Sequence, residues 1–101
     1  MLGFPCNQFA GQEPGSEAEI LEFVTSKFDV DFPMFAKIEV NGDGAAPLYS
    51  LLKTAQPGEG ETSAITWNFE KFLVDKQGNV VRRFPPITTP EDVAAVVPDY
   101  L

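Results

Sequence analysis

Cys6 is the only thiol among these 101 residues, and two glutamines follow it closely in Leu2-Gly3-Phe4-Pro5-Cys6-Asn7-Gln8-Phe9-Ala10-Gly11-Gln12-Glu13-Pro14-Gly15. A thiol attacks a peroxide or a disulfide only as the thiolate, a minor species at neutral pH for a cysteine of ordinary pKa near about 8.5. Cys6 therefore reads either as a redox thiol or as an inert loop cysteine. A primary amide both donates and accepts, so Gln12 could hold a thiolate or a peroxide oxygen without exchanging protons. Gln8 has the same chemistry, and bracing the loop is the plainer role of each. Further on, Trp67-Asn68 sets an indole N–H beside another amide. Both can donate to a developing anion, although a lone tryptophan also serves as a core or edge anchor and an asparagine as a turn brace. Arg82 and Arg83 are adjacent in a strand-like run, where neighbouring side chains face opposite sides. One could contact an anion, and a solvated face accounts for both. Glu59 and Glu61 read as solvated loop charges rather than as an acid pair for hydrolysis.

Composition removes several other chemistries. With 7 Lys and Arg against 15 Asp and Glu, the net charge is −8, so the average surface repels phosphate backbones and no nucleic-acid partner is expected. The absence of histidine removes a histidine base, a Cys-His pair and the commonest zinc ligand, so no metal site is expected. A single cysteine can form a disulfide only with a second molecule, which suits a reducing compartment, and a cytoplasmic location is expected. Hydrophobic residues at 44% and charged residues at 22% fit a globular protein. No apolar run approaches the roughly 18 residues that span a bilayer. The length fits one domain, residues 1–101. Met1 stands directly before a strand-like run, and the natural N-terminal portion is expected to be missing.

The elements that must position these groups follow from local pattern. Pro5, Pro14 and the glycines keep the opening stretch out of helix, as a strand end running into a polar loop. Ser16-Glu17-Ala18-Glu19 has the form of a capping box. It predicts a helix over residues 17–28 whose apolar face, Ile20, Leu21, Phe23, Val24 and Phe28, packs on a core. Residues 34–40 alternate as a short strand, Asn41-Gly42-Asp43-Gly44 reads as a turn, and Pro47 opens a short helix ending near Thr54. Residues 56–66 have no apolar period and read as a surface loop. Residues 69–75, the turn Lys76-Gln77-Gly78-Asn79 and residues 80–84 predict a β-hairpin. Thr89-Pro90-Glu91-Asp92 starts a last helix that Pro98 ends or bends. Strands alternating with helices imply a layered α/β domain.

Phe4-Pro5-Cys6-Asn7-Gln8-Phe9, Gly11-Gln12-Glu13-Pro14-Gly15 and Trp67-Asn68-Phe69-Glu70-Lys71-Phe72-Leu73-Val74-Asp75, in that order, resemble the glutathione peroxidase family, in its monomeric, phospholipid-hydroperoxide type. The likeness continues through Val40-Asn41-Gly42 and Arg83-Phe84-Pro85-Pro86. It implies a thioredoxin-like, three-layer α/β/α fold, truncated at its N-terminus. It also implies reduction of hydrogen peroxide or of organic and lipid hydroperoxides, in oxidative-stress defence. No bound cofactor is implied, with glutathione favoured over thioredoxin as the reducing co-substrate. By motif position, Gln12, Trp67 and Asn68 are similar to the family residues that steady a peroxidatic cysteine or selenocysteine.

The resemblance further implies that the peroxidatic residue lies upstream of this segment, and that Cys6 matches an additional cysteine of the Phe-Pro-Cys-Asn-Gln motif. The family's central strand would lie upstream as well, leaving strands unpaired and open to self-association. The resolving cysteine of thioredoxin-dependent members aligns with Thr25, and a lysine common before the Trp-Asn pair is replaced by Thr66. The loop at residues 56–66 is short, as in monomeric members. The alternative is a catalytically silent thioredoxin-like binding or assembly module.

Overall fold

The computed structural model describes residues 1–58 and 63–101, so Glu59 and Glu61 lie outside the described residues. The chain divides into two compact units, Met1–Ala46 and Pro47–Leu101.

In the first unit the capping box forms as the sequence predicts. Ser16 Oγ accepts from the Glu19 N–H at 3.3 Å and Glu19 Oε1 accepts from the Ser16 N–H at 3.4 Å, starting α1 (Glu17–Phe28). The helix stops where Asp29 turns left-handed at φ 57°. Its apolar face does not pack as expected. Ile20 is 3% exposed, but Leu21, Phe23 and Phe28 are more than half exposed. Within this unit Ile20 and Leu21 line a shallow surface depression together with Met34 and Phe35. Phe23 and Phe28 instead pair edge-to-face at 5.7 Å, with Lys27 Nζ 5.8 Å from the Phe23 ring centre.

The strand expected at residues 34–40 is replaced by isolated parallel bridges, Gly3 with Met34 and Glu39 with Ala45. Gly3 donates to the Pro33 carbonyl and accepts from the Phe35 N–H, and the Pro5 carbonyl accepts from the Ile38 N–H. Pro5 has no N–H to return, so the pairing breaks off after one bridge. Phe4 and Phe35 stack at 4.7 Å beside it. Phe9, Ile20 and Val40 are the buried apolar side chains of this unit.

The second unit opens with α2 (Pro47–Ala55), proline at its first position, and buries Leu52. Strands β1 (Lys71–Val74) and β2 (Val80–Phe84) form the predicted antiparallel hairpin, pairing Lys71 with Phe84 and Phe72 with Arg83, with an irregularity between Leu73 and Val74. Asp75 Oδ1 accepts from the Gln77 and Asn79 N–H groups at 2.9 Å each, and Gly78 supplies the positive φ of 87° that the turn requires. Thr89 Oγ1 accepts from the Asp92 N–H at 3.2 Å and Pro90 starts α3 (Pro90–Val96), which tightens at Pro98 into a 3-10 turn, Val97–Tyr100. Lys71 Nζ reaches the Pro86 and Thr88 carbonyls at 3.2 and 2.5 Å, fixing the link between hairpin and helix. Leu52, Ile65 and Phe84 form the buried apolar set.

Candidate functional site

The loop that carries Cys6 and Gln12 is built by its neighbours. Asn7 Oδ1 accepts from the Glu13 N–H at 2.8 Å and closes the loop across its base. Phe9 is 8% exposed and anchors it, while Ala10 and Gly11 both turn left-handed, at φ 59° and 61°. Gln8 takes the bracing role: Oε1 accepts from the Val40 and Asn41 N–H groups at 2.7 and 3.1 Å, and Nε2 donates to the Asn41 carbonyl at 2.9 Å. Gln12, just past the paired left-handed residues, is exposed. Cys6 is half-buried, its Sγ 3.5 Å from both the backbone N and the side-chain Oε1 of Gln8. The loop that carries this thiol and this exposed amide is thus braced by uncharged side chains, Asn7 and Gln8.

In the second unit Trp67, Asn68 and Phe69 make a tight turn between Thr66 and β1. Phe69 sits at φ 67°, a conformation bulky residues rarely adopt, and is 81% exposed. This is why β1 begins at Lys71 rather than at residue 69, where the alternation of the sequence would start it. Trp67 is 46% exposed, so a large aromatic stands partly in solvent beside Asn68 on a single turn. Trp67 and Asn68 are chain neighbours on this turn, and Cys6 and Gln12 lie on one loop of the other unit.

Arg83 departs from expectation. Rather than a solvated strand charge, it has a side chain only 9% exposed against Glu70 at 4%, with Nη2 2.5 Å and Nε 2.7 Å from Glu70 Oε2. Arg82 faces outward, 5.0 Å from the Phe84 ring. Part of the loop at residues 56–66 is also less superficial than its composition suggests, since Ile65 is 5% exposed. Glu70 was not singled out by its residue type. Hairpin register is the signal that finds it: Glu70 and Phe72 share a face, and Arg83 stands opposite Phe72. Asp75, accepting from the Asn79, Gln77 and Gly78 N–H groups, has its carboxyl held below the usual range, the Asn79 backbone bond being the largest cause. Among the described residues no group of three or more His, Cys, Asp or Glu is arranged to hold a metal ion, and no helix is long and apolar enough to cross a membrane.

Solved structures place this arrangement in the thioredoxin-like α/β class. T. cruzi GPX1, 43% identical, matches with a TM-score of 0.75 over 98% of this chain and 57% of that one. A family model described as glutathione peroxidase matches residues 1–53. A glutathione peroxidase of Schistosoma mansoni is 54% identical over 101 residues, all of this chain and 59% of that protein. A probable phospholipid hydroperoxide glutathione peroxidase of Nicotiana sylvestris is 58% identical over 90 residues, 89% of this chain and 53% of that protein. The chain belongs to the glutathione peroxidase family, and spans somewhat more than half the length of these relatives.

Proposed function

We propose that the chain serves glutathione-peroxidase-type reduction of hydrogen peroxide or of organic and lipid hydroperoxides, with a thiol, glutathione in the first place, as reductant. In this reading a thiolate or selenolate attacks the peroxide O–O bond. A chalcogen–oxygen bond forms, the O–O bond breaks, and a proton taken up by the departing oxygen releases alcohol or water. Two reductant thiols then return the oxidised chalcogen to its starting state, leaving as a disulfide and water. Gln12, Trp67 and Asn68 are the hydrogen-bonding groups for the ionised chalcogen, and the attacking atom is the cysteine or selenocysteine that the family resemblance puts outside these 101 residues, not Cys6, their one thiol. The cytoplasm is the compartment this reading takes, in keeping with a single thiol.

What carries the reading is the presentation of Trp67 and Asn68. An indole N–H and an amide side by side on one fixed turn, with the indole half-exposed, suit an anion that must be reached from solvent. Hydroperoxide consumption coupled to glutathione oxidation, measured on the intact protein, tests it. Asn68→Ala, Trp67→Phe and Gln12→Ala should each slow turnover, the strongest by about 10²-fold, the scale of a lost anion donor. In a protein that supplies the attacking residue, Cys6→Ser should leave turnover in place; in these 101 residues alone, turnover that survives Cys6→Ser overturns the reading, because no other thiol is present. Full rates in the first three variants overturn the assignment, and loss confined to Cys6→Ser moves the chemistry to Cys6. A second reading, an assembly module that self-associates, draws support from Leu21, Phe23 and Phe28, each more than half exposed. It predicts no peroxide consumption and a mass above the monomer in solution.

A further inference from the structure

We infer that Glu70 and Arg83 are positioning residues that fix the turn presenting Trp67 and Asn68, an inference that rests on the function proposed above. Every nitrogen of the Arg83 guanidinium is engaged. Nε and Nη2 meet Glu70 Oε2, Nη1 donates to the Gln56 and Ser63 carbonyls at 3.2 and 3.0 Å, and Nη2 also donates to the Ala64 carbonyl at 2.9 Å. The other oxygen of Glu70 is turned the opposite way. Oε1 accepts from the Thr66 backbone N–H at 3.1 Å and from Thr66 Oγ1 at 2.9 Å. One carboxylate therefore joins the residue just before Trp67 to a cation on β2, and that cation holds the chain leading into the same turn.

The turn needs such a clamp. Phe69 at φ 67° with an 81% exposed side chain gains little from packing to offset its backbone strain. The strain persists because both sides of the turn are tied, at Thr66 through Oε1 and at Glu70 itself through Arg83. Behind the guanidinium, the Phe72 ring lies 5.1 Å from Arg83 Cζ and the Tyr49 ring meets Phe72 edge-on at 6.1 Å. In front, the backbone comes so close that a Cβ at Gly58 would stand 2.7 Å from Arg83 Cζ. The guanidinium is thus seated between an aromatic ring and main chain, which suits a fixed brace and leaves no donor for a substrate carboxylate.

The chain contains one tryptophan, so its fluorescence reports this turn directly. Glu70→Ala and Arg83→Lys should shift Trp67 emission to the red and raise its quenching by acrylamide. Glu70→Gln, which keeps an acceptor for Thr66, should recover part of the effect. Because breaking a buried pair can unfold the hairpin, Thr66→Val serves as a milder variant that keeps both charges, with circular dichroism confirming the fold. In the intact protein the same variants should lower kcat for hydroperoxide by up to about 10²-fold while changing KM less, as displacement of a reacting group does. Unchanged emission and unchanged kcat in folded Glu70→Ala and Thr66→Val overturn the inference while leaving the function proposed above intact. If emission shifts but Trp67→Phe and Asn68→Ala turn over at full rate, the proposed function fails instead, and the pair positions a turn without a catalytic role.

Discussion

Gln8 fastens the loop carrying Gln12 with three uncharged hydrogen bonds, whereas a carboxylate and a guanidinium fasten the turn carrying Trp67 and Asn68. The two brackets differ in what happens when half of each is removed. A neutral amide leaves behind backbone groups that water can partly satisfy. A buried charge left without its partner must be solvated, neutralised or expelled, and that is far more costly. The first loop should tolerate substitution at its brace and lose order gradually, and the second should fail abruptly.

The largest expected effect follows from that contrast. Arg83→Gln or Glu70→Ala should destabilise the second unit by about 3–5 kcal/mol, read as a lower urea midpoint at unchanged slope. The paired replacement Glu70→Leu with Arg83→Met should recover only part of it, because the Gln56, Ser63 and Ala64 carbonyls lose their donor. Full recovery would mean that the charges alone matter. At the neutral bracket, Gln8→Ala should cost about 1–3 kcal/mol, chiefly from the unsatisfied Val40 and Asn41 N–H groups. That loss should be the same at low and high salt.

Smaller still is Asn7→Ala, which removes a single bond to the Glu13 N–H. About 0.5–1.5 kcal/mol is expected, visible as faster hydrogen exchange at Glu13 with α1 unaffected. The smallest is an acid effect at Asp75. Its carboxyl is held below the ordinary range by the Asn79 backbone bond first, so its contribution is present above the unfolded value of about 3.9. It is lost as pH falls through the lower folded value. A hairpin melt followed by NMR below about pH 4 should steepen in the native chain and flatten in Asp75→Asn.

Local chemistry was legible in the sequence at helix starts and at the hairpin turn, where partners sit within four residues. The Ser16 capping box, the Thr89-Pro90 start and the turn at Lys76-Gln77-Gly78-Asn79 all formed as their spacing predicts, with Asp75 accepting within that turn rather than ending the strand. The hairpin followed from alternation and turn residues, with its first strand shorter than expected, at Lys71–Val74. What periodicity could not reveal is what covers a face: Leu21, Phe23 and Phe28 recur at helical spacing and stay exposed. Nor does alternation reveal a break, as at residues 34–40, where Pro5 cannot complete the ladder, or at Phe69, where φ turns positive. Gln12, Trp67 and Asn68 are candidates by motif position alone. Their supports, Gln8 across 32 residues to Val40 and Arg83 across 13 to Glu70, needed the folded chain.

Gln8 has one more consequence. Its amide offers Val40 and Asn41 the donor and acceptor that a neighbouring main chain would offer, so these backbone groups are already engaged. Backbone groups engaged in this way give no template for a foreign β-segment. Besides shaping a loop, the residue guards this part of the surface against unwanted chain-to-chain annealing.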